Sequence, residues 1–153
     1  MPINKLQVAC IVILLGGCVT IPGNAPPYSP APTPKDGRVN LYIYRIGAKP
    51  SLRATTISID AREVLDIPEH AYTVVVVSPG KHSFDSRWAP DTGAPALSFA
   101  FDVLPDKPLF LKLSGDFTAR TYQWTFTSVV STPAQELAEK ELHNCCKRLL
   151  NKY

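Results

Sequence analysis

Apolar and polar residues alternate along most of the chain after Arg38, and a period of two is typical of strands that bury one face. Pro, Gly and Asp residues separate the alternating runs, as expected of turns. The pattern predicts a mainly β fold, an immunoglobulin-like antiparallel β-sandwich of about seven strands with a C-terminal α-helix. The runs are Val39–Ile46, Thr55–Ile59, Glu63–Ile67, Tyr72–Val77, Lys81–Trp88, Leu97–Val103, Leu109–Leu113 and Thr121–Thr127.

The order of the runs predicts which strands pair. The runs on either side of Asp60-Ala61-Arg62 are expected to form a hairpin, although no Asn-Gly or Asp-Gly dipeptide marks its turn. Val74–Val77 is too apolar for a solvent-facing strand, so we expect it at the centre of a sheet. Lys81–Trp88 is expected to form a hairpin with this valine run, and Leu97–Val103 with the leucine run that follows it.

The first strand has two apolar faces. Val39, Leu41 and Ile43 share one face, while Tyr42 and Tyr44 share the other, so we expect both faces to be partly buried. The last strand alternates aromatic residues with hydroxyl-bearing ones. We therefore expect an interaction surface on the open face of the sandwich, and its candidate residues are Tyr42, Tyr44, Thr121, Gln123 and Thr125.

The spacing of apolar residues changes from two to the helical period near the C-terminus. The apolar stripe consists of Ala134, Ala138, Leu142, Cys145 and Leu149. Thr132 is expected to cap the helix, with Gln135 completing a capping box. We expect the stripe to pack back on the sheet, and the alternative is a helix that binds a partner.

The N-terminal residues have the pattern of a targeting segment. Lys5 precedes the apolar stretch Leu6–Leu15, which is shorter than the roughly 20 residues that a transmembrane helix needs. Leu15-Gly16-Gly17-Cys18 resembles the bacterial lipobox, in which a small residue precedes a cysteine that becomes lipidated and N-terminal. We expect cleavage between Gly17 and Cys18 and acylation of Cys18. The alternatives are an ordinary signal peptide and an uncleaved anchor.

The residues after Cys18 predict a membrane-tethered domain. Val19 stands where Asp favours retention in the inner membrane of enteric-type bacteria, so we expect the outer membrane, with the domain facing the periplasm. Six prolines lie between Pro22 and Pro34, and they predict a semi-rigid spacer on the order of 40 Å. The expected divisions are a signal peptide at 1–17, a lipidated cysteine with a Pro-rich linker at 18–37, and the sandwich with its helix at 38–153.

Composition and candidate chemistry narrow the function. The 153 residues include 16 Lys and Arg and 13 Asp and Glu, a net charge of +3 without blocks of like charge, so we expect no nucleic-acid partner. His70, His82 and His143 lie far apart in sequence, whereas a zinc site needs three or four converging donors. His82 and Asp85 point to opposite faces of an alternating strand. We therefore predict no catalytic residue, no enzyme activity, no cofactor and no metal.

Cys145 and Cys146 are the remaining cysteines once Cys10 is removed with the signal peptide and Cys18 carries lipid. Neighbouring residues on a helix point about 100° apart, so we expect no bridge between these two cysteines. Cys145 is expected to be buried on the apolar stripe and Cys146 to lie at its margin. An intermolecular disulfide is the alternative.

Several of these motifs together resemble the bacterial lipoproteins of the domain of unknown function 2846 family. They are the lipobox, the first strand at Val39–Arg45, the turn Ser78-Pro79-Gly80-Lys81-His82 and the acidic helix with Glu136-Leu137-Ala138. Members of the family tend to have an Asn-Gly-type hairpin where this chain has Asp60-Ala61-Arg62-Glu63. The resemblance implies a β fold and a location in the cell envelope, and the activity of the family is unknown. The Pro-Gly-Lys-His turn is also similar to surface β domains of the PEGA type.

Two functions follow as expectations. The first is a membrane-tethered lipoprotein of the cell envelope that acts as a non-enzymatic binding or structural module, with peptidoglycan or an envelope protein as its partner. The second is an accessory lipoprotein subunit of an envelope secretion or assembly complex, which pairs with a partner through its helix or an edge strand.

Overall fold

The computed structural model describes residues 20–152, so the predicted signal peptide and Cys18 lie outside the described residues. The described chain contains eight strands of five residues or more, a two-residue ninth strand, a short 3-10 helix and one α-helix. The strands are β1 Val39–Arg45, β2 Thr55–Ile59, β3 Arg62–Ile67, β4 Ala71–Val77, β5 Gly80–Trp88, β6 Leu97–Val103, β7 Leu109–Arg120, β8 Gln123–Ser131 and β9 Lys147–Arg148. The α-helix, α1, is Gln135–Cys145 and the 3-10 helix is Pro90–Thr92.

The strands form two sheets that face each other as a sandwich. One sheet has five strands in the order β8-β7-β1-β4-β9, and the other has four in the order β3-β2-β5-β6. Inward-facing aliphatic and aromatic residues of both sheets form the main core, with Leu41, Ile43, Ile57 and Phe84 fully buried. The predicted mainly β sandwich with a C-terminal helix is thus confirmed. The pairing in the five-stranded sheet is mixed, because β1 runs parallel to β7 and β4 runs parallel to β9.

The predicted hairpin between β2 and β3 is confirmed. Ile59 pairs with Arg62, so the loop consists of Asp60 and Ala61. Both loop residues have positive φ, 51° and 61°, which is the backbone that a two-residue turn needs to match the twist of its strands. Asp tolerates this conformation, and here it replaces the glycine-containing dipeptide that usually marks such turns.

Two other predicted hairpins are wrong. β5 pairs with β2 and β6, not with β4, and β7 pairs with β1 and β8, not with β6. The chain crosses from one sheet to the other at Ser78-Pro79 and again between β6 and β7. Alternation determines which face of a strand is buried, but it carries no information about which strand lies beside it.

The valine run of β4 lies nearer the edge of its sheet than we predicted. β4 pairs with β1 along its length, but on its other side it pairs only with the two residues of β9. The chain that follows β9 continues beside β4, because the Leu149 N–H donates to the carbonyl of Tyr72 at 2.8 Å. The C-terminal residues therefore cover only the first half of the β4 edge.

α1 packs on the outer face of the five-stranded sheet, as predicted, with Ala138 and Leu142 fully buried. The start of the helix differs from the prediction. Ala134 occupies the N-cap position and no side chain caps the helix, so the predicted capping box of Thr132 and Gln135 is wrong. Leu149 lies beyond the helix, in the segment beside β4. Among the described residues, no helix is both long and apolar enough to cross a membrane.

Cys145 and Cys146 form a disulfide with each other, contrary to the prediction. The helix ends at Cys145, and Cys146 already has extended backbone, with φ −120° and ψ 143°. The prediction that these neighbours form no disulfide assumed that both residues are helical. Because Cys146 is extended, that assumption does not hold. Cys146 is the more deeply buried of the two, 4% exposed, which is also the reverse of the expected order.

Candidate functional site

The predicted open face is covered where its tyrosines lie. Tyr42 and Tyr44 are 3% and 0% exposed, so the prediction of an interaction surface at these two residues is wrong. The Tyr44 hydroxyl donates to Glu141 of α1 at 2.5 Å, and Tyr42 stacks on Phe110 with ring centroids 4.7 Å apart. An apolar sheet face next to an amphipathic helix is buried by that helix, which the strand pattern alone does not reveal.

The Pro-rich segment also lies on this face. We call residues 20–34 the strap. Tyr28 is 5% exposed and its ring packs edge-on against Tyr72, with centroids 5.5 Å apart. The Ala31 N–H donates to the Tyr42 hydroxyl at 2.8 Å, and Asn40 donates to the carbonyl of Pro32 at 2.9 Å. Proline carbonyls remain acceptors although the N–H is missing, so a Pro-rich chain can be held by donors from its neighbours.

The strap therefore does not act as the predicted free spacer. Pro27 forms a β-bridge with Lys147, and the N–H of Arg148 donates to the carbonyl of Pro26 at 2.8 Å. Ile21 packs against the core between the sheets. The sandwich and the chain leading into it are in contact from Ile21 onward, only three residues after Cys18.

The other predicted surface residues lie on a hairpin that extends beyond the sandwich. β7 pairs with β1 only from Leu109 to Leu113, whereas its pairing with β8 continues to Arg120. Gln123 and Thr125 are exposed on strand β8, and Thr121 is exposed in the turn. The register places Gln123 and Thr125 on the same face of the sheet as Tyr42 and Tyr44, but the helix and strap end before reaching them.

The opposite face of this hairpin carries aromatic residues. Phe117 contacts Phe126 and Trp124, with ring centroids 4.9 and 5.8 Å apart. Trp124 is 75% exposed, and Tyr122, in the turn, is completely exposed. The four aromatic residues extend the inward face of the sheet past the opposing sheet, so they form an apolar surface at the hairpin tip.

A groove opens between the two sheets at the edge of β4. Its walls are Thr73–Ser78 and Arg148–Asn151 on one side, with Ile59, Asp60 and His82 of the four-stranded sheet on the other. We call it the β4 groove. Its volume is about 870 Å³, which lies within the range of small-ligand clefts, roughly 300–1,000 Å³.

His82 and Asp60 form an ion pair in this groove. The distance from Nδ1 of His82 to Oδ2 of Asp60 is 2.7 Å, and Nε2 lies 2.8 Å from the carbonyl of Ser78. Both ring nitrogens face acceptors, so the geometry fits an imidazolium that donates from both. Burial disfavours that charge, but the two hydrogen bonds outweigh it and raise the pKa of His82.

The same contacts act on Asp60 in the opposite direction. Partial burial would raise its pKa, but hydrogen bonds from His82 and from the Ser83 N–H lower it. The sequence analysis paired His82 with Asp85 and missed Asp60, which lies in the β2–β3 turn. Only the pairing of β2 with β5 brings this turn beside His82. Through its two ring nitrogens, His82 of β5 links that turn to Ser78, which lies between β4 and β5.

Within residues 20–152, no three His, Cys, Asp or Glu side chains come together in a way that could hold a metal ion. A scan against protein-family models found no match. No curated protein matches the chain. No solved structure matches it either. The resemblance to the domain of unknown function 2846 family stays a prediction.

Proposed function

We propose that this chain is a cell-envelope lipoprotein, attached to the membrane through acylated Cys18, whose sandwich acts as a non-enzymatic binding module. Support for the anchor comes from the lipobox-like Leu15-Gly16-Gly17-Cys18. Two or three acyl chains on one cysteine are enough for stable attachment, at about 0.8 kcal/mol for each buried methylene. Val19 favours the outer membrane, with the sandwich in the periplasm.

One observation supports the proposal: the strap is docked on the sandwich from Ile21 onward. Only Val19 and Thr20 lie between Cys18 and Ile21, and the three residue steps span at most about 10 Å. A lipid on Cys18 would therefore hold the sandwich close to the headgroups, not on a spacer of about 40 Å. The β4 groove and the hairpin tip are the surfaces that this arrangement offers to envelope partners.

The anchor is tested by the intact mass of the full chain after detergent extraction, compared with a Cys18→Ala variant. We expect a chain that begins at Cys18 and carries acyl groups, and we expect the variant to lack them. A mass that retains Met1, or a chain cleaved elsewhere without lipid, would contradict the anchor.

A second candidate function is an accessory subunit of an envelope complex, and the exposed aromatic residues of the hairpin tip favour it. Residues such as Trp and Tyr supply much of the binding energy at protein interfaces. The test is the size of the particle after mild detergent extraction, for the parent chain and for a variant that combines Tyr122→Asn with Trp124→Thr. Asn is used because Tyr122 has a positive φ of 67°. Leu104→Thr, at a residue 65% exposed elsewhere, is the control. This function is supported if the parent chain and Leu104→Thr form a large particle and the variant at Tyr122 and Trp124 does not. It is contradicted if all three proteins form only a small particle.

A further inference from the structure

The outer edge of β4 has an open half. Leu149 donates to the carbonyl of Tyr72, and the side-chain amide of Asn151 donates to the carbonyl of Val74 at 2.7 Å. Alternate residues of a strand direct their backbone groups to the same side, so Tyr72, Val74 and Val76 all present these groups outward, away from β1. Among the described residues, no backbone hydrogen bond reaches Val76 on this side.

The C-terminal chain leaves this edge before Val76. The Lys152 N–H donates to the carbonyl of Val64 at 3.0 Å, so the chain has crossed to the four-stranded sheet by that residue. The Val76 side chain is 43% exposed, and Ser78 is exposed as well. The carbonyls of Val74 and Ser78 accept from Asn151 and His82, so Val76, between them, is the outward residue whose backbone groups have no partner among the described residues. The stretch from Val74 to Ser78 is on the order of 13 Å long, enough for an added segment of about five residues.

The charges around this edge favour an acidic ligand. Arg38, Arg62 and Arg148 line the β4 groove. None of the three forms an ion pair within residues 20–152. The carboxylate in the groove, that of Asp60, is already held by His82. Asp60 also attracts Arg62, but no carboxylate of the described residues forms an ion pair with any of the three guanidinium groups. Beside the unpaired backbone groups of Val76, they complement an extended chain with carboxylate side chains.

We propose that the β4 groove binds an extended acidic peptide segment of a partner protein, which adds as a strand to β4 beside Val76. Backbone hydrogen bonds to the open edge would supply affinity, and the three arginines would select acidic side chains. This inference deepens the proposed binding role and rests on it, but it does not depend on the lipid anchor.

The probe is a fluorescein-labelled peptide of eight residues that alternates Thr and Glu, added to the detergent-extracted full chain and followed by fluorescence anisotropy. Two peptides serve as controls. One alternates Thr and Lys, and the other repeats the acidic sequence with alternate backbone amides methylated, which removes the donors needed for strand addition. We expect binding of the acidic peptide alone, weakening as salt is added.

Variants of Val76 test the mode of binding. Val76→Pro removes the outward N–H while leaving the bonds between β4 and β1 intact, and proline is tolerated at a sheet edge. We expect at least a tenfold loss of affinity with Val76→Pro and little change with Val76→Thr, which keeps the N–H. Arg38→Gln combined with Arg62→Gln should weaken binding several-fold and reduce its dependence on salt.

Three results would overturn the inference. The first is that the acidic peptide does not bind at concentrations up to about 1 mM. The second is that the Thr-Lys peptide binds equally well. The third is that a folded Val76→Pro variant binds the acidic peptide with unchanged affinity. If Val76→Pro fails to fold, the mode of binding is tested with the methylated peptide. Binding of this peptide with full affinity would exclude strand addition. The mass of the same extracted protein tests the lipid anchor separately. A failure of peptide binding would therefore leave the proposed acylation of Cys18 unaffected.

Discussion

The hydroxyl of Tyr44 on β1 donates a 2.5 Å hydrogen bond to Glu141 on α1, and Lys112 of β7 contacts the other oxygen of the same carboxylate at 2.5 Å. One carboxylate thus joins the helix to two neighbouring strands. Tyr44 is fully buried, so its hydroxyl depends on this partner, and loss of the partner would leave a buried donor unsatisfied.

Replacement of Glu141 should loosen the helix. We expect Glu141→Ala to lower the free energy of unfolding by about 1–3 kcal/mol, measured by urea denaturation at neutral pH. Glu136→Ala, at an exposed position of the same helix, should change it by less than about 0.5 kcal/mol. Equal effects of the two variants would show that the Tyr44–Glu141 contact adds nothing to stability.

The contact between Tyr44, Lys112 and Glu141 should make the free energy of unfolding depend on pH in the acidic range. Burial would raise the pKa of Glu141, but the hydrogen bonds from Lys112 and Tyr44 lower it. The carboxyl therefore binds a proton more weakly in the folded chain than in the unfolded one. Its stabilisation is complete above the ordinary carboxyl pKa of about 4.3 and is lost as the pH falls through the lowered value. The difference between the parent chain and Glu141→Ala should shrink below about pH 4, and a constant difference would contradict this.

Removal of the Tyr28 ring should release the strap. The ring packs against Tyr72 and is nearly inaccessible to solvent, so Tyr28→Ala should cost about 3 kcal/mol or more. We expect the amides of Ser29 and Ala31, which donate to the hydroxyls of Tyr72 and Tyr42, to exchange hydrogen faster in this variant. Tyr28→Phe, which keeps the ring, should retain their protection. Fast exchange in the parent chain would mean that the strap is not docked in solution.

Arg45 should be far more important for stability than the neighbouring Arg53. Arg45 is completely buried, pairs with Glu69 and lies over Trp88, 4.6 Å from the ring centroid. Its guanidinium also donates to four carbonyls, those of Ala48, Pro50, Arg53 and Ile67. Burial lowers its pKa to about 10, against the attraction of Glu69. We expect Arg45→Met to lower the free energy of unfolding by about 3–5 kcal/mol.

Arg53→Met is the control for this measurement, because the Arg53 and Asp91 side chains are 39% and 55% exposed. An exposed ion pair contributes less than about 1 kcal/mol. Denaturation curves of the two variants should therefore differ widely. Similar curves would show that the carbonyls around Arg45 find other partners when the guanidinium is removed.

The His82–Asp60 pair should stabilise the fold at low rather than high pH. The folded-state pKa of His82 is raised, so the stabilisation is complete below the ordinary histidine pKa of about 6.5 and is lost as the pH rises through the raised value. Asp60 is 49% exposed, so the effect should stay below about 1 kcal/mol. The stability difference between the parent chain and His82→Gln should therefore decrease as the pH rises above about 6.5.

His70→Asn provides the comparison, because His70 is 60% exposed and Asn tolerates its positive φ of 61°. Because most of its side chain is exposed to solvent, this substitution should change the free energy of unfolding by less than about 0.5 kcal/mol. A pH-independent difference for His82→Gln would mean that folding leaves the pKa of His82 unchanged, so that the contact with Asp60 does not favour the charged imidazole.

The sequence by itself determined the class of the fold and most of the strands, although the outer half of β7, from Ser114 to Arg120, was not predicted. Alternation is a local property, since each side chain takes its direction from the backbone of its own strand. The separation of Leu41 and Ile43 from Tyr42 and Tyr44 was therefore predictable, as were the β2–β3 hairpin and the helix near the C-terminus. The prediction of a targeting segment rests on an equally local pattern, and it concerns residues outside the described part of the chain.

Only the tertiary structure decided which distant segments meet. The parallel pairing of β1 with β7 and the docking of Tyr28 on Tyr72 join residues far apart in sequence, and the crossing at Ser78-Pro79 places two consecutive strands in different sheets. Such contacts depend on the shape and unpaired groups of surfaces that exist only after the strands have assembled. For the same reason, the covered tyrosines, the His82–Asp60 pair and the open edge at Val76 became visible only in the folded chain.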